Sequence, residues 1–271
     1  MTDDFTPEET EKLLKGIKIP PRPEVLVSFL GEANKATPNA GKLAEIVQRD
    51  AAMAAGLLKC VNSPMFGLRA KIASVPQAVS LLGLRSVRSL IMGLAVRGAF
   101  RIDDPQFVER FWDASAVRAG LCGAVARAAK GQDVDTCNTL GLLADCAVPA
   151  MIIRFEGYQQ FYLDAGAYVG RTITAAERER FGTDHATAGY LLARSWRFPQ
   201  EIFRAIQLHH DISEASQDLP GAVLVLKVAE RVFRSARGLP DEHEWSVLGE
   251  AACEILGIDA QLIGELAQQA A

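Results

Sequence analysis

The 271-residue sequence lacks any sign of a disulfide framework, because its five cysteines are odd in number and form no C-x-x-C pair. We therefore predict reduced thiols and a cytoplasmic location. The sequence also lacks an uncharged apolar stretch of about eighteen residues, so no membrane span is expected. Its first residues are acidic and contain no apolar core, which excludes a signal peptide.

Strand patterns and phosphate-binding loops are missing as well. Almost no segment alternates apolar and polar residues with a period of two, so very little sheet is expected. No Gly-rich phosphate loop is present, and no repeat recurs at a fixed period. The net charge of −4 gives no general case for nucleic-acid binding.

Apolar residues instead recur at helical spacing along nearly the whole chain, which is 49% hydrophobic. The stretch 134–155 is strongly apolar and is predicted to be a central helix that Pro149 kinks or splits. Thr183 or Asp184 is expected to cap the next helix, which ends near Trp196. The sequence therefore predicts an all-α fold built from many helices.

An acidic break at Asp103-Asp104-Pro105 predicts that these helices form two packed parts. We expect a short N-terminal extension at residues 1–15 and a first helical part at residues 16–104. The second helical part, with the C-terminal helices, is expected at residues 105–271. Gly83 is predicted to end a helix inside the first part.

The charge is unevenly spread along the chain. The window 51–102 contains seven basic residues and no Asp or Glu, so the rest of the chain carries −11. Two pairs in this window have helical spacing and are predicted to contact an acidic protein partner: Arg85 with Arg88, and Arg97 with Arg101. The alternative is a solvated face whose counter-charges come from elsewhere in the chain. Nucleic acid is a weaker candidate because no aromatic residues interleave the basic ones.

Histidine and aspartate motifs in the second half resemble the helical metal-dependent phosphohydrolases of the HD superfamily. The motifs are Phe111-Trp112-Asp113-Ala114-Ser115, Leu142-Leu143-Ala144-Asp145, Asp184-His185 and His209-His210-Asp211. In those enzymes one helix supplies a His, a second supplies a His-Asp pair, and later His residues complete the metal site. Here Ala114 and Ala144 stand at the first His and at the His of the pair.

The first half is similar to the start of the HDOD domain, the HD-related output domain, and the likeness spans roughly residues 16–213. The segments that carry it are Ile19-Pro20-Pro21-Arg22-Pro23, Ile46-Val47-Gln48-Arg49-Asp50, Leu57-Leu58-Lys59-Cys60-Val61-Asn62-Ser63, Phe66-Gly67, Ile72-Ala73-Ser74-Val75-Pro76-Gln77-Ala78-Val79 and Leu81-Leu82-Gly83-Leu84. The resemblance implies an all-helical bacterial domain that serves signal transduction as a non-enzymatic output or scaffolding module.

Four residues remain as metal-ligand candidates: Asp145, His185, His209 and His210. Because alanines replace two of the imidazole ligands, the resemblance implies no catalytic residue, no bound metal and no other cofactor. The alternative is a residual divalent cation. In a purely structural reading, Asp145 is a buried carboxylate bonded to a histidine, and His210 caps a helix end.

The expected function is a non-enzymatic signalling scaffold that binds a protein with an acidic surface. One alternative is a residual metal-dependent phosphohydrolase or cyclic-dinucleotide phosphodiesterase. Another is a nucleotide sensor that binds without cleaving. The sequence does not fix the oligomeric state.

Overall fold

The computed structural model describes residues 6–62, 70–164, 168–212 and 219–270. Within these ranges the regular elements are helices and no strand occurs, so the all-α prediction is confirmed. The motif Phe66-Gly67, Ser63 at the end of the preceding motif, and Arg69 of the basic window lie outside the described residues.

The chain divides into two compact units. One unit is Pro20–Phe100, and the other combines Met1–Ile19 with Arg101–Ala271. The N-terminal residues, predicted as a separate extension, therefore group with the second unit and contain the helix α1 (Pro7–Leu14).

The first unit is a small helical bundle. Its helices are α2 (Glu24–Ala33), α3 (Ala40–Gln48), α4 (Ala51–Val61) and α5 (Val75–Ala99). Phe29, Leu57 and Ile91 are fully buried and belong to its core. Helix α5 is interrupted at Gly83, whose φ of 75° and ψ of 167° are non-helical. A positive φ of this kind favours glycine, and it confirms the predicted helix end at this residue.

The second unit holds the longer helical bundle. Its helices after α1 are α6 (Pro105–Ala128), α7 (Val134–Leu143), α8 (Val148–Arg154), α9 (Tyr158–Leu163), α10 (Ile173–Phe181), α11 (His185–Ser195), α12 (Gln200–Leu208), α13 (Gly221–Ala236), α14 (His243–Leu256) and α15 (Ala260–Ala270). The spacing of apolar residues predicts neither α9 nor α10. Both helices are short, and the sequence of α10 contains four charged residues in a row.

The apolar stretch 134–155 is split into α7 and α8, as the proline predicts. Pro149 lies in the first turn of α8, where its missing N–H leaves no hydrogen bond unmade. Leu140, Leu143 and Met151 are fully buried, so the two helices form the centre of this unit. The break between them places Asp145 on a turn inside the core rather than in the middle of a helix.

Two helical stretches, Val75–Ala99 and Val134–Arg154, are long and apolar enough to span a membrane by length and composition. This differs from the expectation that no such stretch exists. Their most apolar windows are 50% and 72% buried inside the protein, and each stretch is interrupted, at Gly83 and between α7 and α8. Burial in the core accounts for much of their apolar character.

Candidate functional site

A buried polar cluster lies in the second unit where helix ends meet. Asp145 lies between α7 and α8, His185 is the first residue of α11, and His209 directly follows α12. One ligand atom from each of these residues and from His210 lies within 4.8 Å of all the others. The structure therefore brings together the four candidates that the sequence offered, and we call them the His-Asp centre.

Three atoms at the heart of this centre form a nearly equilateral triangle. Nε2 of His185 lies 3.3 Å from Nε2 of His209, and each of these nitrogens lies 3.3 Å from Oδ1 of Asp145. His185 and His209 are buried, and the side chain of Asp145 is 10% exposed. The triangle is therefore largely closed off from bulk water.

The other ring nitrogen of each histidine is held by a carboxylate or carbonyl oxygen. Nδ1 of His185 lies 2.8 Å from Oε2 of Glu177, Nδ1 of His209 lies 2.7 Å from the carbonyl of Ile206, and Nδ1 of His210 lies 2.6 Å from Oε1 of Glu244. Each Nδ1 therefore donates, and in a neutral ring Nε2 keeps its lone pair. Such outer partners are typical of histidines that bind metals.

The donor set fits one divalent cation. Imidazole nitrogens and a carboxylate oxygen are ligands that zinc accepts, and two ligands at about 2.0 Å on a tetrahedral zinc ion lie about 3.3 Å apart. That separation matches the triangle formed by His185, His209 and Asp145. The ligand atom of His210 lies within 4.8 Å of the other three, a looser limit than the 3.3 Å of the triangle.

The carboxylates around the His-Asp centre can be balanced by one more positive charge. Burial disfavours a charged His185, but the carboxylates of Glu177 and Asp145 outweigh this effect and raise its pKa well above the ordinary value. A proton on His185 or a metal ion can therefore supply the charge that balances these carboxylates. If the proton is present, Nε2 of His185 is a hydrogen-bond donor. If the metal ion is present, Nε2 is a metal ligand.

Arg118 supplies the fixed positive charge beside the centre. Its Nη1 donates to Oδ2 of Asp145 at 2.5 Å, and its Nε donates to the carbonyl of Gly141 at 2.9 Å. Burial raises the pKa of Asp145, but the charge of Arg118, followed by the two neighbouring histidines, holds it well below its ordinary value. The sequence motifs did not identify Arg118, although it lies one helical turn after Ala114 on α6.

Ala114 and Ala144, which the resemblance assigns to the missing histidines, lie on α6 and directly after α7. Ala114 is exposed on α6, and Ala144 is buried directly before Asp145. Neither methyl group offers a ligand atom. Since Arg118 already binds Oδ2 of Asp145, this carboxylate is not free to bridge two cations in the described structure.

A second layer of buried charges ties the C-terminal helices to the centre. Nζ of Lys227 on α13 lies 2.6 Å from Oε2 of Glu244 and 2.8 Å from Oε2 of Glu230. Burial lowers the pKa of His210 to about 4, although Glu244 acts in the opposite direction. His210 is therefore neutral near pH 7, and it binds Glu244 rather than a helix end.

Asp184 has a structural role beside the centre. Its Oδ1 accepts from the backbone N–H of Thr187 at 2.7 Å, and its Oδ2 accepts from Arg178 at 2.8 Å. The predicted helix cap is confirmed at this residue. By starting α11 at the next position, it directs His185 into the core.

The predicted docking arginines are divided between the two units. Arg85, Arg88 and Arg97 lie on α5, whereas Arg101 belongs to the second unit, at the start of its longer stretch. Because α5 ends at Ala99 and Phe100 is extended, Arg97 and Arg101 do not share a helix face, and that part of the prediction is wrong. Arg85 is exposed and Arg88 is half-buried.

The charge asymmetry largely follows the division into units. Residues 20–100 contain ten Lys or Arg and four Asp or Glu, which gives a net charge of +6. The remainder of the chain therefore carries −10. Residues 20–50 sum to zero, so the positive charge of the first unit comes from residues 51–100, and the His-Asp centre lies in the acidic unit.

Comparisons with known proteins match this architecture. A family model described as the HDOD domain covers residues 19–212. An uncharacterized protein of Treponema pallidum is 23% identical over a 231-residue alignment that covers 81% of this chain and 43% of that protein. The protein YuxH of Bacillus subtilis is 33% identical over 99 residues, which are 36% of this chain and 24% of that protein. The chain thus spans less than half the length of these relatives.

Two solved structures share the fold. A protein of Shewanella amazonensis that was assigned as a phosphohydrolase superposes with a TM-score of 0.74 at 22% identity, covering 96% of this chain and 93% of that one. A protein of Marinobacter aquaeolei that was assigned to signal transduction superposes with a TM-score of 0.72 at 20% identity, covering 95% and 58% of the two chains. At these identities the likeness shows the fold alone.

Proposed function

Because the chain belongs to the HDOD domain family, we propose that it is a non-enzymatic signal-transduction module of the cytoplasm that acts through a protein partner. The observation that carries this proposal is the ion pair between Arg118 and Asp145. The five free cysteines agree with a reducing compartment.

The ion pair matters because of what phosphoester hydrolysis requires. Metal-dependent hydrolysis needs a cation with an open position for water, and two-metal enzymes clamp the attacking and the leaving oxygen. Here Arg118 is bound to Oδ2 of Asp145, and Ala114 and Ala144 add no ligand. The remaining donors support one cation rather than a pair.

A single cation in this centre fits a structural role better than a catalytic one. Asp145, His185 and His209 would hold it, and His210, once brought to about 3.3 Å from their ligand atoms, would complete a tetrahedral zinc ion without an open position. When bound, such an ion would supply fixed positive charge. The residues themselves hold the turn after α7 and the ends of α11 and α12 together.

The charge asymmetry supports an acidic protein surface as the partner. A unit with a net charge of +6 attracts such a surface over several ångströms and speeds encounter, and added salt weakens this effect. On the first unit, Lys71 and Arg85 are exposed and can meet a partner.

Capture of binding partners at low and high salt tests this proposal. The variant Lys71→Glu with Arg85→Glu reverses two exposed charges on the first unit, and Arg127→Glu with Arg204→Glu makes the same net change on exposed positions of the second. We expect partners captured at low salt to be reduced several-fold by the first double variant and to be unchanged by the second. Equal loss in both, or in neither, would contradict an interface on the first unit.

Metal-dependent hydrolysis of a phosphoester is the second candidate function. The observation that favours it is the convergence of three histidines and one aspartate in a single centre. The solved structure from Shewanella amazonensis, assigned as a phosphohydrolase, has the same fold. Turnover with added metal separates this candidate from the first.

A further inference from the structure

A cavity of about 340 Å³ lies on the Arg118 side of Asp145, in the second unit. Helix α6 lines it with residues on successive turns, and α9 supplies the facing residues. Its volume lies within the range of about 300–1,000 Å³ that is usual for small-molecule sites. The cavity is distinct from the histidine side of the centre, because none of the three histidines lines it.

Three aromatic rings make one wall of this cavity. The ring centroids of Phe107 and Phe111 lie 5.8 Å apart, and Tyr162 lies 6.3 Å from Phe111 and 6.4 Å from Phe107. Phe107 and Phe111 are buried and packed on each other, so the wall is preformed. Such a surface suits the face or edge of a flat ring.

Two arginines give the cavity positive charge. Arg110 is exposed at the rim, and Arg118 lies deeper, with one donor on Asp145 and one on Gly141. The remaining nitrogen of Arg118, Nη2, is buried beneath the cavity surface and has no hydrogen-bond partner among the described residues, whereas the 18% of the side chain that is exposed lines the cavity. A guanidinium group stays charged at every physiological pH, so Arg118 gives the cavity a permanent positive charge.

The carboxylate of Asp145, which is the anionic group in the cavity lining, already has partners. Asp145 accepts from Arg118 through Oδ2 and faces the histidines through Oδ1. With two arginines and one aspartate, the lining carries a net positive charge. Ala114, which is exposed, leaves the cavity open where a larger side chain would narrow it.

We infer that this cavity binds a small aromatic anion, a flat ring that carries a phosphate or carboxylate group. The ring packs on Phe107, Phe111 and Tyr162, and the anionic group binds Arg118 and Arg110. This inference goes beyond the proposed function, because it requires neither a protein partner nor a metal ion.

Calorimetric titration of the purified full chain tests the inference. The probes are 1-naphthyl phosphate and 1-naphthoate, which distinguish the two anionic groups, with 1-naphthol as the ring alone and inorganic phosphate as the anion alone. We expect at least one naphthyl anion to bind at least tenfold more tightly than either control. If neither does, the inference is wrong, whatever the outcome of the partner experiment.

Two variants locate the binding. Ala114→Phe fills the open side of the cavity while leaving Arg118 on Asp145, and Arg118→Met removes the buried donor. We expect each variant to bind the naphthyl anion at least tenfold more weakly, whereas Arg127→Met on the same helix leaves binding unchanged. If Arg118→Met does not fold, Ala114→Phe decides alone, and wild-type affinity in that variant overturns the site.

Discussion

Asp145 divides its two carboxylate oxygens between two kinds of partner. Oδ2 accepts from Arg118 at 2.5 Å, and Oδ1 lies 3.3 Å from Nε2 of both His185 and His209. One aspartate thus joins a permanent cation to a pair of imidazoles that can bind either a proton or a metal. This arrangement leaves the centre able to hold its helices together without the chemistry of a two-metal enzyme.

The ion pair between Arg118 and Asp145 is expected to contribute strongly to stability. Their side chains are only 18% and 10% exposed, so Arg118→Met leaves a carboxylate buried without its main counter-charge. We expect the free energy of unfolding in urea to fall by about 3–5 kcal/mol. The free energy of unfolding should fall less in the double variant Arg118→Met with Asp145→Asn than the sum of the losses in the two single variants. Strictly additive losses would show that the pair is not coupled.

Zinc is expected to stabilise the protein through the His-Asp centre. A ligand present at about 100 times its dissociation constant adds about 2.7 kcal/mol to the free energy of unfolding. We therefore expect zinc to raise the Tm of metal-stripped protein by several degrees, with one ion bound per chain. His209→Ala should abolish the shift, and His243→Ala, a half-buried histidine outside the four candidates, should retain it. Two ions per chain, or a shift that survives His209→Ala, would contradict the assignment.

The burial of His210 predicts a dependence of stability on pH. Its pKa is about 4 in the folded protein against about 6.5 in an unfolded chain, so between these values only the unfolded chain binds the proton. The free energy of unfolding should therefore fall as the pH drops from 6.5 to 4, by up to about 3 kcal/mol from this group.

The measurement compares urea unfolding of chelator-treated wild type and His210→Asn at pH 7 and pH 4.5. The variant should lose less stability than wild type over this interval. His185 acts in the opposite direction, because its raised pKa gives stability that is fully present below about pH 6.5 and is lost only as the pH rises through the folded value. Identical losses in wild type and His210→Asn would argue against a neutral, buried His210.

Close contact between α6 and α7 depends on Gly141. A Cβ atom at this position would lie 2.8 Å from Cα of Ala119 and 2.8 Å from Sγ of Cys122, and the backbone atom cannot move without shifting the helix. We expect Gly141→Ala to lower the free energy of unfolding by about 1–3 kcal/mol, as overpacked cores do. Gly264→Ala on α15 meets no atom within 4 Å and should instead raise it by up to about 1 kcal/mol. Urea unfolding of both variants checks this contrast.

The fold followed from the sequence where local signals were strong. Gly83 interrupts a helix, Asp184 caps one, and Pro149 starts one after a break, because each residue acts through its own backbone or its near neighbours. Arg101 shows the limit of this reasoning. Its pairing with Arg97 required the helix to continue two residues beyond Ala99, where α5 ends.

The site followed from the sequence only in part. Asp145 and the three histidines could be found because metal-ligand residues are rare and their order resembles that of a known superfamily. Glu177, Glu244 and Lys227 could not be found. Acidic and basic residues are common, and these contacts join positions far apart in the sequence, such as Glu244 with His210.

The expectation that the protein has no phosphohydrolase activity is tested most directly by a turnover assay. Purified protein loaded with manganese or zinc is incubated with nucleoside monophosphates and with cyclic dinucleotides, beside His209→Ala prepared in the same way. We predict that the wild type forms no more product than His209→Ala with any substrate, because Arg118 engages Oδ2 of Asp145 and Ala114 and Ala144 offer no ligand. Metal-dependent turnover by the wild type that disappears in His209→Ala would contradict a non-enzymatic module.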